Sequence, residues 1–138
     1  MRALGLDLGE KTIGVAVSDG IGITAQGVCV IRRQSKEKDF AALAKIIDEY
    51  DINSIIIGLP RNMDGSLGPQ AQKALSFAEA LRGRFNLPVE TTDERLTTAL
   101  VQKTLIEGGA SRAKRKTVID MLAAQVILQG WMDRKRRE

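Results

Sequence analysis

Short apolar runs alternate with turn residues over the first part of the chain. Residues 2–8 and 12–18 are rich in Leu, Val and Ile, and the turn sequence GEK separates them, which is typical of a β-hairpin. A third run at 27–33 follows after a connection too short for a parallel crossover. The pattern therefore predicts a three-stranded antiparallel meander.

Beyond the meander, helical periods alternate with apolar strands. Ser35 can cap a helix, because apolar residues recur after it at helical spacing: Phe40, Leu43, Ile46, Ile47 and Tyr50. An apolar strand at 52–60 comes next, then a helix over about 69–85 and a fifth strand at 87–93. Strands that alternate with helices favour parallel pairing.

Two further helices complete the pattern. Thr97 or Thr98 can cap a helix that ends at Gly108, and a last helix runs from about 114 to 133. The predicted fold is α/β, with a mixed five-stranded sheet, an antiparallel meander plus parallel strands, flanked by helices. Its size predicts a single domain over residues 1–138.

Composition narrows the setting in which the protein works. No apolar run approaches the roughly 20 residues that a membrane span needs. The N-terminus resembles a strand and lacks the pattern of a signal peptide. The single Cys29 excludes an internal disulfide, so we expect a cytoplasmic protein without a membrane partner.

Charge and the absence of histidine change the picture further. The 21 Lys and Arg against 17 Asp and Glu give a net charge of +4, and the basic residues cluster at 112–116 and 134–137. Such clusters favour nucleic acid as a partner, although a solvated helix end and a frayed basic tail would look the same. Without histidine, a Ser-His-Asp triad and a His-bearing zinc site are excluded.

Carboxylates occur in three apolar settings. Asp7 lies in the first strand, Asp93 and Glu94 end the fifth, and Asp120 interrupts the last helix. The alternative for each is a capping or ion-paired residue, with Lys116, one turn earlier, as the partner of Asp120. If the strand ends share one edge and the last helix crosses it, the acids can instead converge on one or two divalent cations.

Four segments resemble the motifs of the YqgF/RuvX family: DLGEKTIGVAVSD at 7–19, GLPRNMDGSLGPQ at 58–70, TDERLTT at 92–98 and KTVIDMLAAQVIL at 116–128. The resemblance covers essentially the whole chain. It implies a ribonuclease H-like fold related to Holliday junction resolvases. It also implies a hydrolase acting on phosphodiester bonds, a nuclease proposed to mature the 5′ end of pre-16S rRNA during ribosome biogenesis.

The resemblance also implies a catalytic and metal-binding set, formed by Asp7, an acid of the DER sequence and Asp120, with Mg²⁺ or Mn²⁺ as cofactor. Neighbouring strand residues point to opposite faces, so Asp93 and Glu94 cannot both reach one metal from an extended strand. We choose Glu94, whose side chain is longer, and leave Asp93 to cap or to pair with Arg95.

Basic residues near these motifs are the predicted nucleic-acid contacts: Lys11, Arg61, Arg95, Arg112, Lys114, Arg115 and Lys116. Arg61 lies in the loop GLPRNMDGSLGP, whose backbone N–H groups and following helix could hold a phosphate. The alternative is that this loop is a plain strand-to-helix connection.

Several functions remain open at this stage. A structured RNA is the first substrate, handled by a monomer or weak homodimer, and a four-way DNA junction is the second. A resolvase that cuts two strands symmetrically is expected to be a dimer. The sequence DLGEKTIG also resembles the phosphate-binding hairpin of sugar-kinase and actin-like ATPases, and a non-catalytic nucleic-acid-binding module is a further alternative.

Overall fold

The computed structural model describes residues 2–62, 64–93 and 112–137. Within these ranges the strands are β1 (Arg2–Leu8), β2 (Thr12–Ser18), β3 (Ala25–Arg32), β4 (Ile52–Leu59) and β5 (Val89–Asp93). The helices there are α1 (Lys36–Glu49), α2 (Pro69–Phe85) and α3 (Arg112–Arg137).

The five strands form one sheet in the order β3-β2-β1-β4-β5. The pairs β1–β2 and β2–β3 are antiparallel, whereas β1–β4 and β4–β5 are parallel. This confirms the predicted mixed sheet. Because β1, β4 and β5 run in one direction, they end at the same edge, which we call the C-terminal edge; β3 ends there too.

Several predicted boundaries were wrong. β3 begins two residues earlier and ends one residue earlier than predicted; its pairing with β2 starts at Ser18–Ala25, and the N–H of Ala25 donates to Gln129 Oε1 at 2.8 Å. β4 ends one residue and β5 begins two residues inside the predicted range, because Pro60 and Pro88 have no N–H to donate to a strand ladder. The last helix spans residues 112–137 and is longer at both ends than predicted. The helix expected between Thr97 and Gly108 lies outside the described residues.

One face of the sheet, the α1/α2 face, carries the large aliphatic side chains. Leu4, Leu6 and Ile57 are completely buried there. Helix α1 begins where predicted, with Ser35 Oγ accepting from the backbone N–H of Lys38 at 3.2 Å. Helix α2 begins at Pro69, whose fixed φ suits the first helical position.

The opposite face, the α3 face, is made of small residues. Gly5, Ala16 and Gly27 lie side by side on β1, β2 and β3. A Cβ on Gly5 would lie 2.7 Å from Cβ of Leu128, and one on Gly27 would lie 2.7 Å from a side-chain carbon of α3. Helix α3 therefore packs close to the sheet backbone, which larger side chains would prevent.

Helix α3 also covers the exposed edge strand. Gln125 Oε1 accepts from the N–H of Gly27 at 3.1 Å, and the side chain of Gln129 bridges Ala25 N and the carbonyl of Ile23. Backbone groups that β3 would otherwise present to solvent are thus hydrogen-bonded within the chain.

The basic run at 134–136 is neither frayed nor freely solvated. Arg134 donates to Thr92 Oγ1 on β5, and Lys135 Nζ lies 3.7 Å from a carboxylate oxygen of Glu90. Arg136 donates to the carbonyl of Ile23 at 3.0 Å. These side chains tether the end of α3 to the sheet. Among the described helices, none combines the length and apolar character needed to cross a membrane.

Candidate nuclease site

Asp7 lies on the α3 face near the end of β1. Leu6 and Leu8, its two neighbours, pack into the core under α1 and α2. Since strand side chains alternate, Asp7 shares the face of Gly5, over which α3 passes. This placement accounts for a half-buried carboxylate between two leucines: the side chain points away from the aliphatic core.

Asp120, on helix α3, lies over the part of the sheet next to Asp7. Gly14 is the register partner of Asp7 on β2, about 4.5–5.5 Å away between Cα atoms. A Cβ on Gly14 would overlap the carbonyl oxygen of Asp120, so the backbone of α3 rests directly on this glycine. Asp7 and the backbone of Asp120 therefore both adjoin Gly14, and the joint role of these two acids stays a prediction.

A hydroxyl orients the second carboxylate. Thr12 Oγ1 donates to Asp120 Oδ2 at 2.7 Å, across 108 residues of sequence. Both groups are partly buried, so the bond is less exposed to competition from water than a surface contact. Lys116, considered above as an ion-pair partner of Asp120, has a side chain outside the described set.

The acids of the DER sequence lie at the end of β5, whose residues alternate between the two faces of the sheet. Glu90 and Thr92 of β5 lie on the α3 face, where Glu90 accepts from Trp131 Nε1 at 2.9 Å. Asp93 comes one residue later and is the register partner of Leu59, a residue of the α1/α2 core. Asp93 therefore lies on the face opposite Asp7. Glu94 and Arg95 lie outside the described residues.

The donor set suits a hard divalent cation. Carboxylate oxygens of Asp7 and Asp120 are the ligands that Mg²⁺ and Mn²⁺ prefer, and no sulfur or imidazole competes. Within residues 2–62, 64–93 and 112–137, no group of three Asp, Glu, Cys or His side chains that could hold a metal is present.

A thiol nucleophile is not an alternative to the carboxylates. Cys29 is on the strand β3 and packs against the aliphatic core. Burial raises the pKa of the Cys29 thiol, and the Glu49 carboxylate adds to the rise. A thiol with a raised pKa stays protonated at neutral pH and is unreactive.

Two of the predicted basic contacts, Lys11 and Arg61, lie at the C-terminal edge. Lys11 is exposed in the β1–β2 turn. Arg61 is exposed too, but its guanidinium donates to the carbonyl of Gly65 at 3.1 Å within its own loop. The backbone of residues 112–116 forms the first turn of α3, just before Asp120, and their side chains lie outside the described set.

Sequence reasoning missed two residues at this site. Thr12 reads as an ordinary β-branched strand residue, and Gly14 as a neutral position in an apolar run. The available signal was the glycine itself, because a glycine inside a strand often marks a close approach of another backbone. The register that places Gly14 beside Asp7 depends on pairing that the local sequence does not reveal.

The chain has close relatives in sequence and more distant ones in fold. Residues 1–134 match the RuvX family, described as Holliday junction resolvase. Proteins from Myxococcus xanthus (strain DK1622) and Desulforamulus reducens (strain ATCC BAA-1160 / DSM 100696 / MI-1), both named as proposed pre-16S rRNA nucleases, are 53% identical to this chain. The alignments cover 99% and 96% of this chain and 90% and 97% of those relatives, respectively.

Among solved structures, T. thermophilus RuvC in complex with a Holliday junction substrate is similar in fold, with a TM-score of 0.60 at 13% identity. The match covers 99% of this chain and 96% of that chain. At this identity the likeness concerns the fold alone. It confirms the predicted ribonuclease H-like architecture.

Proposed function

Because the chain belongs to the RuvX family, described as Holliday junction resolvase, we propose that it is a divalent-metal-dependent nuclease acting on structured RNA. The relatives at 53% identity support the 5′ end of pre-16S rRNA as the substrate and ribosome biogenesis as the process. Cytoplasmic location follows from that substrate. A monomer or weak homodimer suffices for a single cut.

The convergence of Asp7 and Asp120 carries this proposal. Both residues are half-buried and adjoin Gly14 near the C-terminal edge, and Thr12 orients the Asp120 carboxylate. When bound there, Mg²⁺ or Mn²⁺ supplies Lewis acidity and an activated water. Asp7 and Asp120 hold the cation and the Thr12 hydroxyl fixes the orientation of one carboxylate, so little reorganisation is needed when substrate arrives.

Glu94 is the third proposed ligand. If β5 continues its alternation by one residue, Glu94 follows Glu90 and Thr92 onto the α3 face, toward Asp7. The same alternation keeps Asp93 on the other face. This supports assigning the metal-binding role to Glu94, and it makes Asp93 a matched control.

The proposed backbone contacts are the basic residues of the C-terminal edge. Lys11 in the β1–β2 turn and the run at 112–116 before Asp120 flank the carboxylates from two sides, and Arg61 and Arg95 extend the set. Each Lys or Arg that neutralises a phosphate releases counterions, so affinity should fall with added salt.

A four-way DNA junction is the second candidate substrate, favoured by the description of the family and by the fold shared with a junction-bound resolvase. The two candidates differ in assembly, because symmetric cutting of two strands needs two sites in a dimer. A protein that is monomeric at its working concentration would count against the junction.

Incubation of the protein with a pre-16S rRNA leader and with a synthetic four-way junction, each with Mg²⁺, Mn²⁺ or EDTA, tests the proposal. We expect metal-dependent cleavage of the leader, abolished by Asp7→Asn, Asp120→Asn and Glu94→Gln. Asp93→Asn should retain most activity. Full activity of Glu94→Gln with loss in Asp93→Asn would reverse the assignment, and unchanged cleavage by Asp7→Asn would remove the metal site.

Thermal melts separate a metal ligand from a structural carboxylate. Asp7→Asn removes one of two neighbouring negative charges and keeps the volume, so in EDTA it should melt at the wild-type temperature or higher. Mn²⁺ should then stabilise the wild type more than the variant, because binding to the folded state adds stability. A destabilised variant that keeps the full Mn²⁺ shift would contradict the role of Asp7.

A further inference from the structure

A second polar site opens at the C-terminal edge, on the face of the sheet opposite the carboxylates. It is a cleft of about 890 Å³ between the β1–β2 turn, the junction of β3 with α1, and the first half of α2. Leu8 and Gly9, which follow Asp7 directly in the chain, form one wall. Only the β1–β2 turn therefore separates this cleft from the proposed catalytic carboxylates.

Arg33 and Phe77 line one part of the cleft and together form what we call the Arg33 platform. The guanidinium of Arg33 lies over the ring of Phe77, 5.7 Å from its centroid. Arg33 Nη1 donates to the carbonyl of Gly9 at 2.8 Å, and Arg33 Nε lies 3.6 Å from Asp39, a carboxylate only 3% exposed. These contacts hold the cation in place before any ligand arrives, and a planar cation beside an aromatic ring is a surface on which a base can stack.

Lysine and glutamine side chains form the rim of the cleft. Lys36 at the start of α1 and Lys73 on α2 are both exposed and line it, together with the amides of Gln34 and Gln72. The lysines can reach phosphates, while amides offer both a donor and an acceptor to the edges of bases. The lining as a whole is more cationic than acidic, with Arg33, Lys36 and Lys73 against Glu10 and Asp39.

We propose that this cleft binds a single-stranded segment of the nucleic-acid substrate beside the scissile phosphate. Lys36 and Lys73 hold the phosphates, Gln34 and Gln72 contact base edges, and one base stacks on the Arg33 platform. The inference rests on the proposed nuclease function. A base paired and stacked within a helix cannot offer its Watson–Crick edge or its ring face to such a cleft, so the substrates bound best have unpaired nucleotides next to the cut.

The test measures binding without cleavage. Fluorescence anisotropy in EDTA with a labelled single-stranded RNA of about 12 nucleotides compares wild type with the double variant Lys36→Gln/Lys73→Gln. We expect about a tenfold loss of affinity, and a log-affinity against log-salt slope shallower by about 1.4 because two phosphate contacts are lost. A matched control, Lys38→Gln/Lys45→Gln, removes the same charge from exposed positions of α1 outside the cleft and should stay within about twofold of wild type.

A labelled RNA duplex of the same length decides the single-strand claim. The cleft variant should bind the duplex as the control variant does. An equal loss for duplex and single strand, a cleft variant no weaker than the control, or no measurable binding of single-stranded RNA by wild type would each overturn the inference. If only the cleft variant lost affinity for single-stranded RNA while the wild type cleaved neither the leader nor the junction, the cleft would be supported. The nuclease proposal would then be wrong.

Discussion

The two faces of the sheet solve different problems. Under α1 and α2, large side chains such as Leu6 and Ile57 build a thick aliphatic layer without polar contacts to the proposed site. Under α3, Gly5, Ala16 and Gly27 let a helix lie almost on the sheet backbone. The first arrangement buries much apolar area. The second arrangement fixes the distance between α3 and the sheet, and with it the position of Asp120.

The comparison implies that stability and cleavage are separable by face. Interdigitated side chains can relax around a truncated neighbour, at a cost in free energy, without moving a distant carboxylate. A helix resting on glycine backbone has no such freedom, because any added atom displaces the helix as a whole. Each variant below is therefore judged by two readouts, the free energy of unfolding and the rate of metal-dependent cleavage.

The largest loss of stability is expected from Leu81→Ala on the α1/α2 face. Leu81 of α2 is completely buried, so its truncation should lower the free energy of unfolding by about 2–5 kcal/mol. Chemical denaturation measures this loss. Below its melting temperature the variant should cleave within about threefold of wild type, since a lost packing contact on this face leaves α3 in place. A far larger loss of cleavage in the folded variant would break the separation.

Gly14→Ala on the α3 face is expected to have the reverse effect, with a modest loss of stability and a large loss of cleavage. The new methyl group overlaps the carbonyl of Asp120, so α3 must shift, at a cost of about 1–3 kcal/mol. Cleavage should fall about a hundredfold, because a displacement of roughly 1 Å in a catalytic group has that effect. The expected result is a folded but poorly active protein, by circular dichroism and cleavage assay. Retained activity would mean that Asp120 does not need its present position.

Thr12→Val is a smaller change at the same place. Valine keeps the shape and strand preference but removes the bond to Asp120, so stability should fall by only about 1 kcal/mol. We expect about a tenfold loss of cleavage at limiting Mn²⁺ and a weaker Mn²⁺-induced melting shift. Thr12→Ser should restore both. A Thr12→Val protein with a wild-type Mn²⁺ response would show that the hydroxyl only packs.

The smallest effects, of opposite sign, are expected at helical glycines that face open space. A Cβ on Gly83 of α2 or on Gly130 of α3 would meet nothing within 4 Å. Gly83→Ala and Gly130→Ala should each raise the free energy of unfolding by about 0.5–1 kcal/mol through helix propensity, with cleavage unchanged. A loss of cleavage in Gly130→Ala alone would indicate that flexibility of α3, and not only its position, matters.

Local chemistry made much of the architecture predictable. Short apolar runs and the turn residues between them identified β1 and β2. Ser35 marked the start of α1, and Pro69 marked the start of α2. The alternation that puts Asp7 opposite its leucine neighbours is also a local property. These features depend on residues a few positions apart, which a single sequence displays directly.

What the sequence did not reveal depends on contacts between distant segments. The cleft platform joins Arg33, Asp39 and Phe77 from three elements, and Gln129 covers a strand more than a hundred residues away. The sequence did not show that the basic run near the end of α3 pairs within the chain, because its partners, Thr92 among them, lie far back in the sequence. Register and tertiary contact decide all three cases.

The bond between Thr12 and Asp120 spans 108 residues, and this has a consequence for the newly made protein. Asp7 leaves the ribosome early, whereas its partner carboxylate arrives only after residue 120 has been synthesised and α3 has docked. Contacts of such long sequence separation form late and slowly in folding. A nascent chain therefore carries the strand without the site. We therefore expect the proposed site to form only once α3 has docked on the sheet.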